Sequence, residues 1–527
     1  MLNRTRMVGG VAAVLVMTAI VWSGTQYVGR LPILFAFHAA FLAMLLLILP
    51  RPRLDGYLFL AGFLFLGFWF KFMIHLVWHY KFAEPTGAFD GSLEIWDRAL
   101  SAAAAGAAGV ALCRGVHLLI YRRRPNIIDA VIYNIPSWYS QRRPWVWAIC
   151  VTSTLLLYGA NYQFAFFQVG VSPRIVLPYK LNVLLSWASF CGASFLFALL
   201  LDWELHIRPR KLLLLVITVS MLGVVASISI LTRAVTAFLM VAFAVAISVH
   251  MPDLRDRFWK TFRWGLPIIL AGSFLISLSM VTWLRDNLYT PSTSSVLSAS
   301  DHGAGVTPES GTHGGPTAPA AFASPTPPGS STNSPQLICD RGQLVPASRP
   351  LPPTGRLAWI DGLAQEILAL AADRWIGLEG VLSVASSPQQ LGRRLFTRGI
   401  FENPAQGVDS IYQSLAHSRY CQDQNFTFLT LAGAIAILFY SGSPIVVFFG
   451  MLLVCGSIIL IELLILRLCK SRFLSTLMCL YMANAICQMN FPYLWFVFLA
   501  ENLVAVLAFY AFSMPWRRLQ QPDGPLD

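Results

Sequence analysis

The sequence predicts an all-α fold: a polytopic membrane helical bundle of about 12 spans with one large periplasmic loop. Three observations predict it. Of 527 residues, 56% are hydrophobic and only 12% charged, about half the ~25% charged content of soluble domains, and the mean hydropathy is +0.62. Apolar runs of about twenty residues, enough to cross a hydrocarbon core of roughly 30 Å, recur through most of the chain. Arginine and lysine gather in short clusters between those runs, in alternate loops.

Nine runs precede residue 284, near 7–28, 31–50, 57–78, 100–120, 144–161, 182–201, 212–231, 234–250 and 264–283. The first follows Arg4 and Arg6 like a signal peptide, but it is long and has no clear small-residue cleavage site, so it reads as a retained span. Loops at Arg51/Arg53, Arg122–Arg124 with Arg142/Arg143, Arg208/Arg210/Lys211 and Arg255/Arg257/Lys260/Arg263 are the basic ones. By the positive-inside bias they and the N-terminus are cytoplasmic. The expected organisation is a nine-span bundle over 1–283, with 284–424 on the outer side. Residues 284–355 read as a disordered insert, because their Ser, Thr, Pro, Gly and Ala bury too little apolar surface to offset ordering entropy. Residues 356–424 repeat apolar residues at helical spacing and are expected to form short helices lying at the membrane surface. Residues 425–527 supply the last spans and a short cytoplasmic tail. Four full crossings there would leave Arg467, Lys470 and Arg472 outside, against the charge bias. Residues 425–466 are therefore expected to cross once, through a helix broken or re-entrant at SGSP (441–444).

The +13 net charge does not point to nucleic acid, because the basic residues sit where topology signals belong. Seven cysteines (113, 150, 191, 455, 469, 479, 487) fall in or beside apolar runs and read as small buried hydrophobes. Cys339 and Cys421 lie in the outer loop and are the candidate disulfide, given an oxidising compartment there. No Walker-type loop, GxGxxG, HExxH, CxxC or DxD stands where an outer site would use it. No metal or cofactor is expected, so activation must arrive with the substrate.

The segment DRWIGLEGVLSVASSPQQLGRRLFTRG, residues 373–399, concentrates the chemistry. Arg374, Arg393, Arg394 and Arg398, with Trp375 at the lipid boundary, suit an anionic phosphate head with an apolar tail. The plainer alternative is a helix whose arginines sit at lipid headgroups. The chain has 32 Arg against 6 Lys, and 356–424 carries seven carboxylates against six arginines. The lack of lysine there is therefore not selective. Arg174 and Lys180 (VSPRIVLPYKLN) and Arg233 (SISILTRAVTAF) lie in other outer loops, where they either converge on the same anion or merely end helices. Lys71, His75 and His79 recur every four residues in the third span, and His75 is the strongest of the three. Snorkelling of Lys71 to the boundary is the alternative. Among proton acceptors (Asp373, Glu379, Glu402, His417), Glu379 ranks first because it shares the arginine-rich segment. Glu501, in the last span, is expected to pair with Asn484 and Gln488.

LPYKLNVLLSW (177–187), SISILTRAV (227–235), DRWIGLEG (373–380) and LAGAIAILFYSGSP (431–444), together with the span count and the late outer loop, resemble the Wzy-type repeat-unit polymerases of bacterial O-antigen and exopolysaccharide. The resemblance covers most of the chain except 291–355. No arginine of 285–424 shows the arginine, ten residues, glycine spacing of some members. The resemblance implies a metal-independent glycosyltransferase of the bacterial cytoplasmic (inner) membrane. Such an enzyme moves a glycan linked to polyprenyl (undecaprenyl) pyrophosphate onto a sugar hydroxyl of another lipid-linked repeat. It implies as partners the lipid-linked oligosaccharide, membrane lipid, and chain-length regulator and flippase proteins. On this reading Arg374, Glu379 and His75 are the candidate catalytic residues, and Arg233, Arg174, Lys180, Arg393, Arg394, Arg398 and Trp375 bind substrate. The competing readings are an O-antigen ligase, a polysaccharide flippase or other transporter, a membrane acyltransferase using His75 or His79, and a non-catalytic scaffold.

Overall fold

The computed structural model describes residues 16–78, 82, 84–123, 135–171, 173–175, 177–178, 181–208, 211–251, 265–289, 375–418 and 429–514. Among them the fold is all-α, with one isolated bridge between Gln168 and Val171. The chain divides into two units, 1–281 with 353–527, and 282–352. Of the second, only the end of one helix falls among the described residues.

The helices are α1 (16–26), α2 (Leu31–Leu46), α3 (Asp55–Leu64, continuing to Lys71–Trp78), α4 (Leu93–Arg123), α5 (Ser137–Phe164) and α6 (Leu181–Ile207). They are followed by α7 (Leu212–Ile230), α8 (Ala234–Val245, continuing to His250), α9 (Gly265–Tyr289), α10 (Leu378–Ala385), α11 (Arg393–Ile400) and α12 (Ile411–Leu415). The last four are α13 (Ala434–Leu438), α14 (Pro444–Leu468), α15 (Arg472–Cys487) and α16 (Pro492–Ser513). Among the described residues, six helices are long and apolar enough to cross a membrane, namely α4, α6, α7, α14, α16 and α3 over Asp55–Leu76, with shorter apolar helices among them. The protein is a multi-pass membrane protein. Large apolar side chains that no helix covers, such as Ile445, Phe449, Leu453 and Leu460 on α14, fit lipid as their solvent.

Local chemistry sets the boundaries. Pro444 and Pro492 stand in the first turns of α14 and α16, where a missing N–H costs nothing. Ser471 caps α15 by accepting from the Leu474 N–H at 3.2 Å. Pro144 lies inside α5 beside a kink at Arg142. The alanine-rich face of α4 (Ala102, Ala103, Ala107) is buried, as close helix approach in lipid requires, and α4 packs on α2 and α14. A one-turn 3-10 segment, Phe439–Ser441, and Gly442 at φ 70° separate α13 from α14. The chain therefore breaks at SGSP.

Buried polar contacts sort the helix ends into two sets. At one end the Asp55 carboxylate takes the Thr476 hydroxyl at 2.5 Å and faces His250 Nε2 at 2.9 Å. Glu462 accepts the Asp55 and Gly56 N–H groups at 2.8 and 2.9 Å. One carboxylate thus satisfies the start of α3 while the other ties it to α8 and α15. Asp202 accepts the Arg472 N–H at 2.9 Å, and Arg114 donates to the carbonyls of Leu47, Pro50 and Pro52 at the same end. At the other end Asp97 accepts from the Tyr27 hydroxyl at 2.7 Å and the Arg30 N–H at 3.0 Å. Asn161 donates to the Ser229 carbonyl at 2.9 Å, and the Val169 N–H to the Ile230 carbonyl at 2.9 Å.

Residues 375–418 correct the expectation of helices lying at the surface. All eight residues of α10 are buried, and α10 packs against α4 and α13 inside that second end. α11, by contrast, keeps an open face. A short helix buried all round presents no apolar stripe, so periodicity does not separate it from a surface helix. The proposed insert beyond residue 289, residues 356–374 and 419–424, and the Cys339/Cys421 pair lie outside the described residues.

Candidate functional site

The site is built around α3 and the wedge 375–418. Residues 65–70 of α3 are a π-helix. Each residue inserted into an α-helix turns everything after it by about 100°, so this segment sets the face on which Lys71 and His75 emerge. Beside it the backbone at Ile376–Gly377 lies directly on Gly67. A Cβ on Gly377 would stand 2.7 Å from the Gly67 carbonyl oxygen, and one on Gly67 would stand 2.5 Å from that of Ile376. Gly380 approaches the Ala432 carbonyl as closely. The glycines of RWIGLEG are therefore packing residues.

That contact carries Glu379 to Lys71. The two side chains form a buried ion pair, 1% exposed for Lys71 and 4% for Glu379. Lys71 does not snorkel outward. Glu379 Oε2 has no hydrogen-bond partner among the described residues, and Glu84 is close enough to act on Glu379 electrostatically. The loop carrying Glu84 braces the wedge: Ser383 donates to the Pro85 carbonyl at 3.1 Å and the Gly87 N–H to that of Ala416 at 3.1 Å. One turn beyond Lys71, His75 is buried and stacks on Phe82 with ring centroids 3.6 Å apart. Phe82, Phe89 and Trp96 complete an aromatic cluster there.

Trp375 packs against Phe63 at the head of the wedge, ring centroids 5.4 Å apart and planes tilted by 31°. On α11 the side chains divide cleanly: Leu395 and Phe396 pack on the core and Gly399 lies on the Tyr440 ring, while Arg393, Arg394 and Arg398 are exposed. Phe401 follows at 82% exposure. Glu402 is buried and accepts the Ile411 N–H at 2.6 Å. Burial pushes its carboxyl above the usual carboxylate range, against the lowering effects of that N–H and of Arg398. Sequence adjacency thus misleads: Glu379 points inward to Lys71, whereas the arginines following it face out.

Arg174 is exposed, and its loop is held on α5 by its own N–H, which donates to the Ala165 carbonyl at 3.3 Å. The 165–171 stretch rests on the end of α7, so the hairpins bearing Arg174 and half-buried Arg233 are neighbours. Glu501 forms no hydrogen bond or ion pair with Asn484 or Gln488 among the described residues, which corrects that expectation. Arg374, Asp373, Lys180 and His79 lie outside the described residues. No group of three or more His, Cys, Asp or Glu among the described residues is placed to hold a metal ion. The seven described cysteines are free, and all but half-buried Cys113 are buried.

Sequence reasoning missed Phe63, Glu84 and Ser383, and named the amides Asn484 and Gln488 only as partners of Glu501. The Lys71–Glu379 pairing spans 308 positions, so no local pattern announces it. The one available signal was the glycine spacing in RWIGLEG. No family model matches the sequence, and neither a curated protein nor a solved structure matches it.

Proposed function

We propose that this chain is an inner-membrane polymerase of oligosaccharide repeat units, with a polyprenyl-pyrophosphate-linked glycan as donor and a sugar hydroxyl of a second lipid-linked repeat as acceptor. The observation that carries the reading is the placement of α11. Its apolar underside is packed on the bundle, and its three arginines and Phe401 are exposed. Leu391, which leads into α11, touches Gly442 just before the lipid-facing stripe of α14 begins at Ile445. A phosphate head with an apolar tail meets both halves of its chemistry there.

The topology proposed with it has twelve crossings, both termini in the cytoplasm, and 284–424 on the outer side, with 375–377 reaching in about halfway along α3. The sorting of helix ends supports it: Asp55, His250, Glu462 and Thr476 meet at one end, as alternate crossings require. In the reaction the acceptor oxygen bonds to the donor's anomeric carbon as the bond from that carbon to the phosphate oxygen breaks. The lipid pyrophosphate leaves with the electron pair. Arginines stabilise the charge that grows on it; Arg374, next in the chain to Trp375, and Arg393, Arg394 and Arg398 are the candidates. Glu379 and His75 are the candidates to take the hydroxyl proton; both are buried on the inward side of the wedge, so the acceptor would have to approach them from the side opposite the exposed arginines of α11. Arg174, Lys180 and Arg233 are assigned to the outer glycan and phosphate contacts.

The test is deletion in the producing organism, with complementation by wild type or Arg374→Ala, and sizing of the lipid-linked and surface glycans. The proposal expects single repeats to reach the outer side without long polymer, unrescued by Arg374→Ala. An unchanged glycan profile overturns it. A transporter is the second reading, favoured by non-helical backbone at 376–377, 433 and 489 meeting about halfway along α3. It predicts repeats stranded on the cytoplasmic face.

A further inference from the structure

Small residues on α4 bring its backbone onto that of α14. A Cβ on Gly109 would stand 3.2 Å from the Leu452 nitrogen and closer still to the Phe448 carbonyl oxygen, and Gly106 lies against Met451. Packed helices ordinarily keep their axes about 8–10 Å apart, and in lipid it is small residues that let backbones come nearer. One turn beyond Gly109, the seam between the two helices holds a cysteine from each, Cys113 on α4 and Cys455 on α14.

The two thiols interact directly. The Cys455 sulfur lies 4.0 Å from the Val110 carbonyl oxygen, on the turn before Cys113, and the Cys113 sulfur lies 3.9 Å from where a Cβ on Gly456 would stand. Each side chain therefore reaches across to the other's helix. A disulfide needs Cα atoms about 4.4–6.8 Å apart, which a glycine-lined contact allows and an ordinary helix contact rarely does. The two sites also differ in access: Cys455 is fully buried, whereas Cys113 is half-buried. Beside Cys113, the Arg114 guanidinium donates to the carbonyls of Leu47 and Pro50 at the end of the bundle that holds Asp55, so the pair lies near that end. Cys479 provides the contrast. It is buried, and its thiol is bonded to the Glu462 carboxylate and not to another thiol.

A reachable thiol set against a shielded one is the arrangement in which the first is oxidised and the second resolves it. We propose that Cys113 and Cys455 form a redox modification site, at which a hydroperoxide converts them to a disulfide that ties α4 to α14. The Cys113 sulfur attacks one peroxide oxygen, the O–O bond breaks, and Cys113 becomes a sulfenic acid as an alcohol leaves, or water where the oxidant is hydrogen peroxide. The Cys455 sulfur then attacks the Cys113 sulfur, the S–O bond breaks, and the hydroxyl leaves with the Cys455 proton as water. Two thiols together lose two electrons, and the two peroxide oxygens are reduced by them. With this end of the bundle in the cytoplasm, small thiol reductants return the pair to its reduced state, so the bond is transient there. Hydroperoxides partition into both water and lipid, and either phase gives them access to half-buried Cys113. The inference stands apart from the polymerase reading.

The test exposes the full-length protein in nanodiscs to hydrogen peroxide at neutral pH, blocks the remaining thiols, and reads the unreduced peptides by mass spectrometry. Expected is a peptide pair joined through Cys113 and Cys455 in most molecules and separated by dithiothreitol, with Cys479 oxidised at least about tenfold more slowly. With dimedone present, the Cys455→Ala variant is expected to hold Cys113 as the trapped sulfenic acid, a state that the wild type passes through without accumulating. Three results overturn the site: Cys113 sulfenylated in the wild type with no bridge to Cys455, Cys113 bridged to any other cysteine or to a second copy of the chain, or Cys113 no more reactive than Cys479. The wild-type peptides decide among these even where Cys455→Ala fails to fold.

Discussion

At the scale of residues, the Lys71–Glu379 pair governs how the wedge is held. Removing one member of a buried ion pair strands the other charge, at a cost of about 3–5 kcal/mol, whereas replacing both with apolar groups is often near neutral. Lys71→Met is therefore predicted to lower the midpoint of thermal unfolding in detergent sharply, and adding Glu379→Leu to recover most of the loss. Equal damage from the single and double variants would show that the pair does not hold the wedge. Glu402 gives a pH signature. Its folded carboxyl lies above the unfolded value of about 4.3, so the folded state retains a proton that the unfolded state has released. Its contribution is complete at low pH and is lost as pH rises from the ordinary carboxylate range through the raised value. Hydrogen exchange at 402–411 is predicted to speed up over that rise, and Glu402→Gln to remove the dependence. Sequence showed which residues were chemically unusual, Lys71 and Glu379 among them. It did not show that they touch, because burial and contact are properties of the packed chain.

At the scale of elements, α10 and α11 differ although they sit in one segment. The amphipathic spacing of α11 was legible, with Leu391/Leu395 beside Arg394/Arg398, and the structure places those leucines inward and the arginines outward. α10 was misread as a surface helix because burial on every side leaves no stripe. Gly377→Ala is predicted to cost about 1–3 kcal/mol, since its Cβ meets the backbone of Gly67, which has no rotamer to yield. Limited proteolysis across 375–418 checks this, and protection equal to wild type contradicts it. Replacing Arg393, Arg394 and Arg398 together with Gln is predicted to leave stability within about 0.5 kcal/mol per exposed site. Polymer output in cells is predicted to fall at least about tenfold. The π segment of α3 had no sequence signal, because the residues of FLGFWF suit an ordinary apolar helix as well.

At the scale of the whole molecule, the apolar runs announced the helices, and arginine clusters announced the alternation of loops. The intrusion of 375–377 to the middle of α3 was not legible, since hydropathy reports how apolar a stretch is and not how deep its backbone lies. Cysteine scanning with impermeant reagents is predicted to label positions 90, 174 and 398 from outside and 123, 211 and 470 only after permeabilisation. Any reversal within either set overturns the twelve-crossing arrangement. The central claim is the proposal that this chain joins lipid-linked repeats. It is tested most directly by incubating the purified protein in nanodiscs with lipid-linked repeats from a deletion strain and resolving the glycans by size. The account predicts a ladder at multiples of one repeat, with lipid pyrophosphate released and the ladder lost in Arg374→Ala. A folded wild-type protein that leaves the single repeats unjoined would contradict it.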